Sequence, residues 1–203
     1  MKIPPVYSSI PFKPHPSFPS VAVHKMTKTE LKFRTATSDD APQLQQLVES
    51  AFRAQDTRAN WTDKLGISSD FRIHVNDIMT MIAKPESVLL VATTQDGALA
   101  GTIGTSKLDD QHARLFMLAV DQNRQCGGLG RQILAYAEGY GQRTWGVNCF
   151  GLNVLSGRDQ LMAWYSRQGY EETGETTPFP REKHESLALP DDLCFIEFEK
   201  KTL

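Results

Sequence analysis

Apolar and polar positions follow no period over the first 29 residues, and from Leu31 onward they alternate between the strand and helix periods. Residues 31–36 alternate with period two and predict a strand. Ser38 offers an N-cap for the next element, with Asp39 and Asp40 at the positive end of its dipole. Ala41, Leu44, Leu47, Val48, Ala51 and Phe52 recur at helical spacing and make one apolar face. Residues 53–69 are polar and irregular around Trp61 and Gly66, and a shorter helix is predicted over 71–83, stopping before Pro85.

Three strand-like runs follow, at 87–94, 98–107 and 114–120, separated by turn signals at Gln95-Asp96-Gly97 and Asp109-Asp110. A polar loop over 121–127 leads into a helix reaching to about Arg143, with Leu129, Ile133, Ala137 and Tyr140 on one face. Residues 147–155 predict a strand and 158–168 a helix, which Gly169 closes in a left-handed conformation. Short strands are predicted at 170–173 and 194–200. Between them, residues 174–192 are rich in Pro and charge, a length that suggests a functional loop. The order β-α-α-β-β-β-α-β-α-β-β predicts an α/β fold with a mixed, mostly antiparallel central sheet flanked by helices. It contains at least one right-handed βαβ crossover.

Composition changes the picture mainly at the N-terminus. Six of the eleven prolines (Pro4, Pro5, Pro11, Pro14, Pro16 and Pro19) fall within residues 1–29, with four lysines and no acid. Proline at this density blocks helices and ladders alike, so residues 1–29 are expected to form a disordered tail and residues 30–203 the folded domain. The tail lacks arginine and an apolar core segment, which argues against a targeting peptide. A net charge of −2 gives no drive toward nucleic acid or anionic membrane, and no apolar run approaches the ~20 residues of a bilayer span. Cys126, Cys149 and Cys194 are scattered, neither a disulfide framework nor CxxC pairs, which points to a reducing compartment and a cytoplasmic location. His112 and His184 have no ligand partner at metal spacing, so no metal is expected.

The chemistry concentrates between Leu118 and Arg131, in the run Leu-Ala-Val-Asp-Gln-Asn-Arg-Gln-Cys-Gly-Gly-Leu-Gly-Arg. A buried strand, a short polar loop and then glycines opening a helix make an anion site. Glycine lets backbone N–H groups come close, and the helix end adds free donors and a positive dipole. Arg124 and Arg131 flank the turn and supply further positive charge for phosphate. No GK[ST] follows the glycines, which excludes a Walker A loop. Ile133 stands where a dinucleotide fingerprint needs its third glycine.

The loop resembles the Q/R-x-x-G-x-G/A segment of the GNAT superfamily of N-acetyltransferases. Gln125, Gly128 and Gly130 hold the defining positions directly after a Leu-x-Val strand end. A second match lies at Trp164-Tyr165-Ser166-Arg167-Gln168-Gly169-Tyr170, similar to the family's F/W-Y-x-x-x-G-F/Y helix end. Arg158 stands where many members carry Asn. The resemblance covers residues 31–200 and implies a GNAT-like fold that binds acetyl-coenzyme A. The cofactor would lie along Leu118, Ala119, Val120, Arg124, Gln125, Cys126, Gly127, Gly128, Leu129, Gly130 and Arg131, with Cys126 given no chemical role of its own. It also implies direct attack by an amine in a ternary complex. The strand over 117–120 would splay from its neighbour, a backbone N–H near Leu118 would meet the oxyanion, and Tyr165 would be the proton donor.

No carboxylate lies between Arg114 and Met117, where many relatives carry a glutamate. Glu175, Glu185 and the acids between Asp70 and Asp77 are the alternatives for a base relayed through water. Trp61 and Phe71 line a substrate pocket or fill core, two readings the sequence leaves open, whereas Trp164 reads as core. The expected partner is a small-molecule amine, with no nucleic acid and no membrane, and a homodimer is left open. Two rivals stand beside this reading: a protein or peptide N-acetyltransferase, and a non-catalytic acyl-coenzyme A-binding module.

Overall fold

The computed structural model describes residues 30–53, 71–124, 127–181 and 189–202. The expected tail over 1–29, most of the irregular segment with Trp61 and Asp70, and the stretch with His184 and Glu185 lie outside them.

Seven strands form one sheet in the order β1-β2-β3-β4-β5-β7-β6. They are β1 (Lys32–Thr35), β2 (Ser87–Thr93), β3 (Leu99–Lys107), β4 (His112–Val120), β5 (Cys149–Leu155), β6 (Glu171–Pro178) and β7 (Cys194–Lys201). Among the described residues four helices flank it: α1 (Ala41–Arg53), α2 (Val75–Ala83), α3 (Leu129–Trp145) and α4 (Asp159–Ser166). Every strand pair is antiparallel except β4 with β5, which α3 connects. This is the mixed, mostly antiparallel α/β sheet expected. None of the described helices is long and apolar enough to cross a membrane.

Side-chain alternation sends neighbours in β2 to opposite faces. Val88, Leu90 and Ala92 join Ile133, Leu134 and Ala137 of α3 and Tyr165 of α4 in one core. Leu89 and Val91 join Leu44, Leu47 and Val48 of α1 and Ile78 of α2 in the other. Two glycines let these layers approach. A Cβ on Gly101 would lie 2.4 Å from Ile133 Cδ1, so α3 seats directly on β3. A Cβ on Gly104 would lie 2.3 Å from the Phe116 ring laid across it.

One charge is buried among these apolar layers. Glu138 on α3 accepts the Tyr170 hydroxyl at 2.9 Å and pairs with Lys200 Nζ at 2.8 Å. Hydrogen bonds from a hydroxyl and an ammonium satisfy a carboxylate that would otherwise be costly to desolvate.

Three local expectations are corrected. The first helix is entered through a 3-10 turn at Ser38–Asp40, and its cap is Thr37, not Ser38. The Thr37 N–H donates to Asp40 at 2.7 Å, and Arg34 grips the same carboxylate through two nitrogens at 2.6 and 2.7 Å. α2 begins at Val75, because the His74 N–H donates to Asp77 at 2.8 Å and sets the helix start there. Phe71, ahead of it, stacks on Phe52 at 4.4 Å. The strand expected to end at Thr173 continues to Pro178, so the loop before β7 is shorter than the sequence suggests. Gly174 is no loop opener. It is a left-handed residue (φ +85°) inside a bulge between Glu172 and Thr176 that leaves the ladder with β7 running.

Candidate active site

β4 pairs with β3 along most of its length but with β5 only at its beginning, through His112–Cys149, Ala113–Phe150 and Arg114–Gly151. From Leu115 onward no β5 residue pairs with it, so the two strands part into a wedge that widens toward Val120. Backbone groups on that edge of β4 are left without a ladder partner.

Inside the wedge β4 bulges. Thr102 of β3 faces Ala119 and Gly104 faces Phe116, so Met117 and Leu118 together stand opposite Ile103. Met117 has φ +53°, a left-handed value for a residue with a side chain. Such strain costs about 1–3 kcal/mol and persists where the surroundings enforce it. The extra residue also flips the strand's facing. Ala113 and Leu115 face the α3 core and Phe116 the α1 core, but beyond the bulge Leu118 and Val120 pack toward α3 and Ala119 toward α1. The strained Met117 peptide thereby lies on the stretch of β4 that borders the wedge.

The glycine turn closes the wedge's wide end. A 3-10 turn at Gln122–Arg124 follows β4, and Gly127 and Gly128 lead into α3. Gln125 and Cys126 lie outside the described residues. Gly128 takes φ +70° and ψ 18°, and the α3 N-terminus has no side-chain cap. The Gln132 N–H donates to the Gly128 carbonyl at 3.1 Å, so the amides of Leu129, Gly130 and Arg131 precede the first turn's bonding. A Cβ on Gly128 would meet nothing within 4 Å, so the turn presents bare backbone on an open side. Arg131 is exposed there, with no ion pair among the described residues. Arg124 is instead held by Asp121 at 3.3 Å. These features fit an anionic pyrophosphate: free amides, room for close approach and an unpaired cation.

α4 delivers the second half of the motif to the same place. A Cβ on Gly130 would sit 3.5 Å from the Trp164 ring and 3.8 Å from Val120, so the indole lies between the first turn of α3 and the end of β4. Tyr165 beside it is buried and edge-on to both Trp164 and Tyr170. Its hydroxyl has no hydrogen-bond partner among the described residues. Burial pushes its pKa upward, against an opposing pull from the Arg158 charge, so the phenol stays protonated throughout the neutral range.

The candidate bases fare differently. Asp77 is committed to capping α2, and Glu175 lies on the outer strand β6, with β5 and β7 between it and β4. Asp70 and Glu185 lie outside the described residues. Sequence reasoning missed the bulge at Met117, which no glycine marks. It also missed a small apolar cluster at the wedge end of the sheet, where Phe179 and Leu193 bury against Leu155 and Phe195.

Residues 42–170, more than half of the chain, match the sequence model of the acetyltransferase (GNAT) family. The chain belongs to this family. As a member, it is an N-acetyltransferase drawing its acetyl group from acetyl-coenzyme A. No curated protein shows a significant sequence match. Among solved structures, this acetyltransferase shares its fold with the PaiA N-acetyltransferase from Thermoplasma acidophilum in complex with coenzyme A. That match has a TM-score of 0.64 and 18% identity, over 85% of this chain and 99% of that one. The ribosomal-protein-S18-alanine N-acetyltransferase from Escherichia coli matches with a TM-score of 0.61 and 19% identity, over 85% and 94% of the two chains. A spermidine N-acetyltransferase chimera from Vibrio cholerae matches with a TM-score of 0.59 and 11% identity, over 84% and 95%.

Proposed function

We propose that this acetyltransferase acylates a primary amine on a small molecule in a ternary complex at the β4–β5 wedge. The observation that carries the reading is the meeting, at one end of the sheet, of a β4 edge, an α3 N-terminus and a Tyr165 hydroxyl that all lack partners among the described residues. Acetyl-coenzyme A supplies a thioester, which an amine attacks directly. Gly127, Gly128, Leu129, Gly130 and Arg131, with Gln125 and Cys126 before them, would hold the pyrophosphate through backbone donors. Leu118, Ala119 and Val120 would pair along the pantetheine arm. The Leu118 N–H, turned by the bulge, would hold the charge that develops on the carbonyl oxygen. Tyr165 would hold a proton for the departing thiolate. Arg124, bound to Asp121, would contribute positive charge at the loop's rim.

Support for a small acceptor comes from the wall beside the wedge. Phe179 and Leu193 pack against Leu155 at the end of β5, and Arg181 donates to the Leu189 and Pro190 carbonyls. Side chains packed there would narrow the approach that an extended peptide needs. The scattered cysteines fit a cytoplasmic setting. A thiol-release screen with acetyl-coenzyme A against polyamines, amino acids, aminoglycosides, arylamines and peptides tests the reading. Turnover is expected with a small amine. Turnover confined to peptides would replace the acceptor class, and saturable cofactor binding with no turnover on any amine would leave a binding module.

A further inference from the structure

At the opposite end of the sheet, away from the wedge, three other groups converge. His112 opens β4, Cys149 opens β5 and Glu199 lies near the end of β7. Far apart in sequence, they are brought together by the strand order. His112 pairs with Cys149, and Gly151, on the same face as Cys149, pairs with Glu199. A ring nitrogen of His112, the Cys149 Sγ and a Glu199 carboxylate oxygen all lie within 4.8 Å of one another. Cys149 is 2% exposed, while His112 and Glu199 are half-buried and close the outer side.

A fourth residue orients the first. The Asp109 carboxylate sits 2.8 and 2.9 Å from His112 Nδ1 and is itself fixed by the N–H groups of Gln111 and His112 at 2.8 and 2.9 Å. Metal-bound imidazoles ordinarily have a carboxylate on the nitrogen opposite the metal, which fixes the tautomer and raises ligand basicity. In the tautomer that donates its Nδ1–H to Asp109, His112 Nε2 carries the lone pair. The lack of a histidine partner at metal spacing along the chain does not hold in space.

We propose that His112 Nε2, the Cys149 Sγ and a Glu199 carboxylate oxygen bind a divalent transition-metal ion of the zinc class. Thiolate, imidazole and one carboxylate suit zinc and disfavour magnesium or calcium, which take oxygen donors. Zinc ligands at about 2.0–2.3 Å in a tetrahedron stand roughly 3.5 Å apart, so the trio needs only modest contraction. On binding, the Cys149 S–H bond breaks, the sulfur's electron pair goes to the metal and the proton leaves to solvent. The Lys201 ammonium, 3.8 Å from Glu199 and 80% exposed, swings away at little cost. With Met117 and Leu118 sharing one step at the bulge, seven strand steps of about 3.3 Å place the ion some 23 Å along β4 from Val120. There it takes no part in acyl transfer and ties β4, β5 and β7 together at the closed base of the wedge.

The test uses the full chain, stripped with chelator and titrated with Zn²⁺ by calorimetry and with Co²⁺ by absorption. One zinc per chain and a thiolate-to-cobalt charge-transfer band are expected. Cys194→Ser should keep the band and Cys149→Ser should abolish it. Should Cys149→Ser fail to fold, the half-buried His112→Gln and Glu199→Gln carry the test, each losing zinc affinity. Asp109→Asn, which leaves all three ligands in place, should weaken zinc by about 10–100-fold. Absence of the band, its survival in Cys149→Ser, or unchanged zinc affinity in His112→Gln and Glu199→Gln would overturn the assignment.

Discussion

Tyr165 is a largely buried phenol, packed between two aromatic rings, whose hydroxyl meets no hydrogen-bond partner among the described residues. Burial keeps it protonated and the Arg158 charge partly offsets that effect, leaving a donor available to a leaving thiolate. Tyr165→Phe is therefore expected to lower kcat by about 10²–10⁴ with little change in coenzyme A affinity. Loss of less than about two-thirds of kcat, with chemistry shown to be rate-limiting, would refute the acid role. Gly128 makes a different demand. At φ +70° a β-branched residue is strained, and its side chain would fill the open side above the turn. In thermal melts, Gly128→Val should remove coenzyme A-induced stabilisation, about 2.7 kcal/mol at a hundredfold excess over Kd for the wild type. A Tm shift matching the wild type's would move the pyrophosphate elsewhere.

The entry to α1 carries a titration at the level of the element. The Arg34 guanidinium, hydrogen-bonded to Asp40, draws the aspartate's pKa from 3.8 down to about 2. A depressed pKa stabilises the fold above the unfolded value and loses that contribution as pH falls from about 4 to 2. Asp40→Asn should therefore cost about 1 kcal/mol at neutral pH, and its difference from wild type should vanish near pH 2 in urea unfolding curves. A gap independent of pH would show that the cap, not the charge, matters. Elements with a strong period were legible in the sequence: α1, β2, β3 and the α3 face through Ile133 and Ala137 all stand where the pattern puts them. The glycine turn was legible too, because an uncapped helix after Gly128 needs a residue that tolerates left-handed φ. The bulge was not, since Phe116-Met117-Leu118 carries no local signal and tertiary packing alone holds Met117 at φ +53°. Nor was the His112, Cys149 and Glu199 trio, which depends on which strands become neighbours.

For the whole molecule, composition sets the proline-rich residues 1–29 apart from the rest of the chain. Residues 1–27 offer no periodic apolar face, so ordering them against the domain would cost entropy for little burial. A chain beginning at Lys28 is expected to keep its Tm and its response to coenzyme A. A drop of several degrees in differential scanning calorimetry would mean that the extension packs.

The short β4–β5 seam also bears on how the molecule comes apart. Three residue pairs join the strands there, against seven between β5 and β7. Cooperativity should therefore break along that line, dividing the protein into a β1–β4 unit with α1 and α2 and a β5–β7–β6 unit, with α3 spanning both. Native-state hydrogen exchange is expected to resolve two groups of amides with separate opening energies, and a single common opening energy on both sides would exclude the division. Because the proposed acyl-transfer wedge lies on the boundary, ligand occupying it would couple the two units. Saturating coenzyme A should then merge their exchange into one late-opening class.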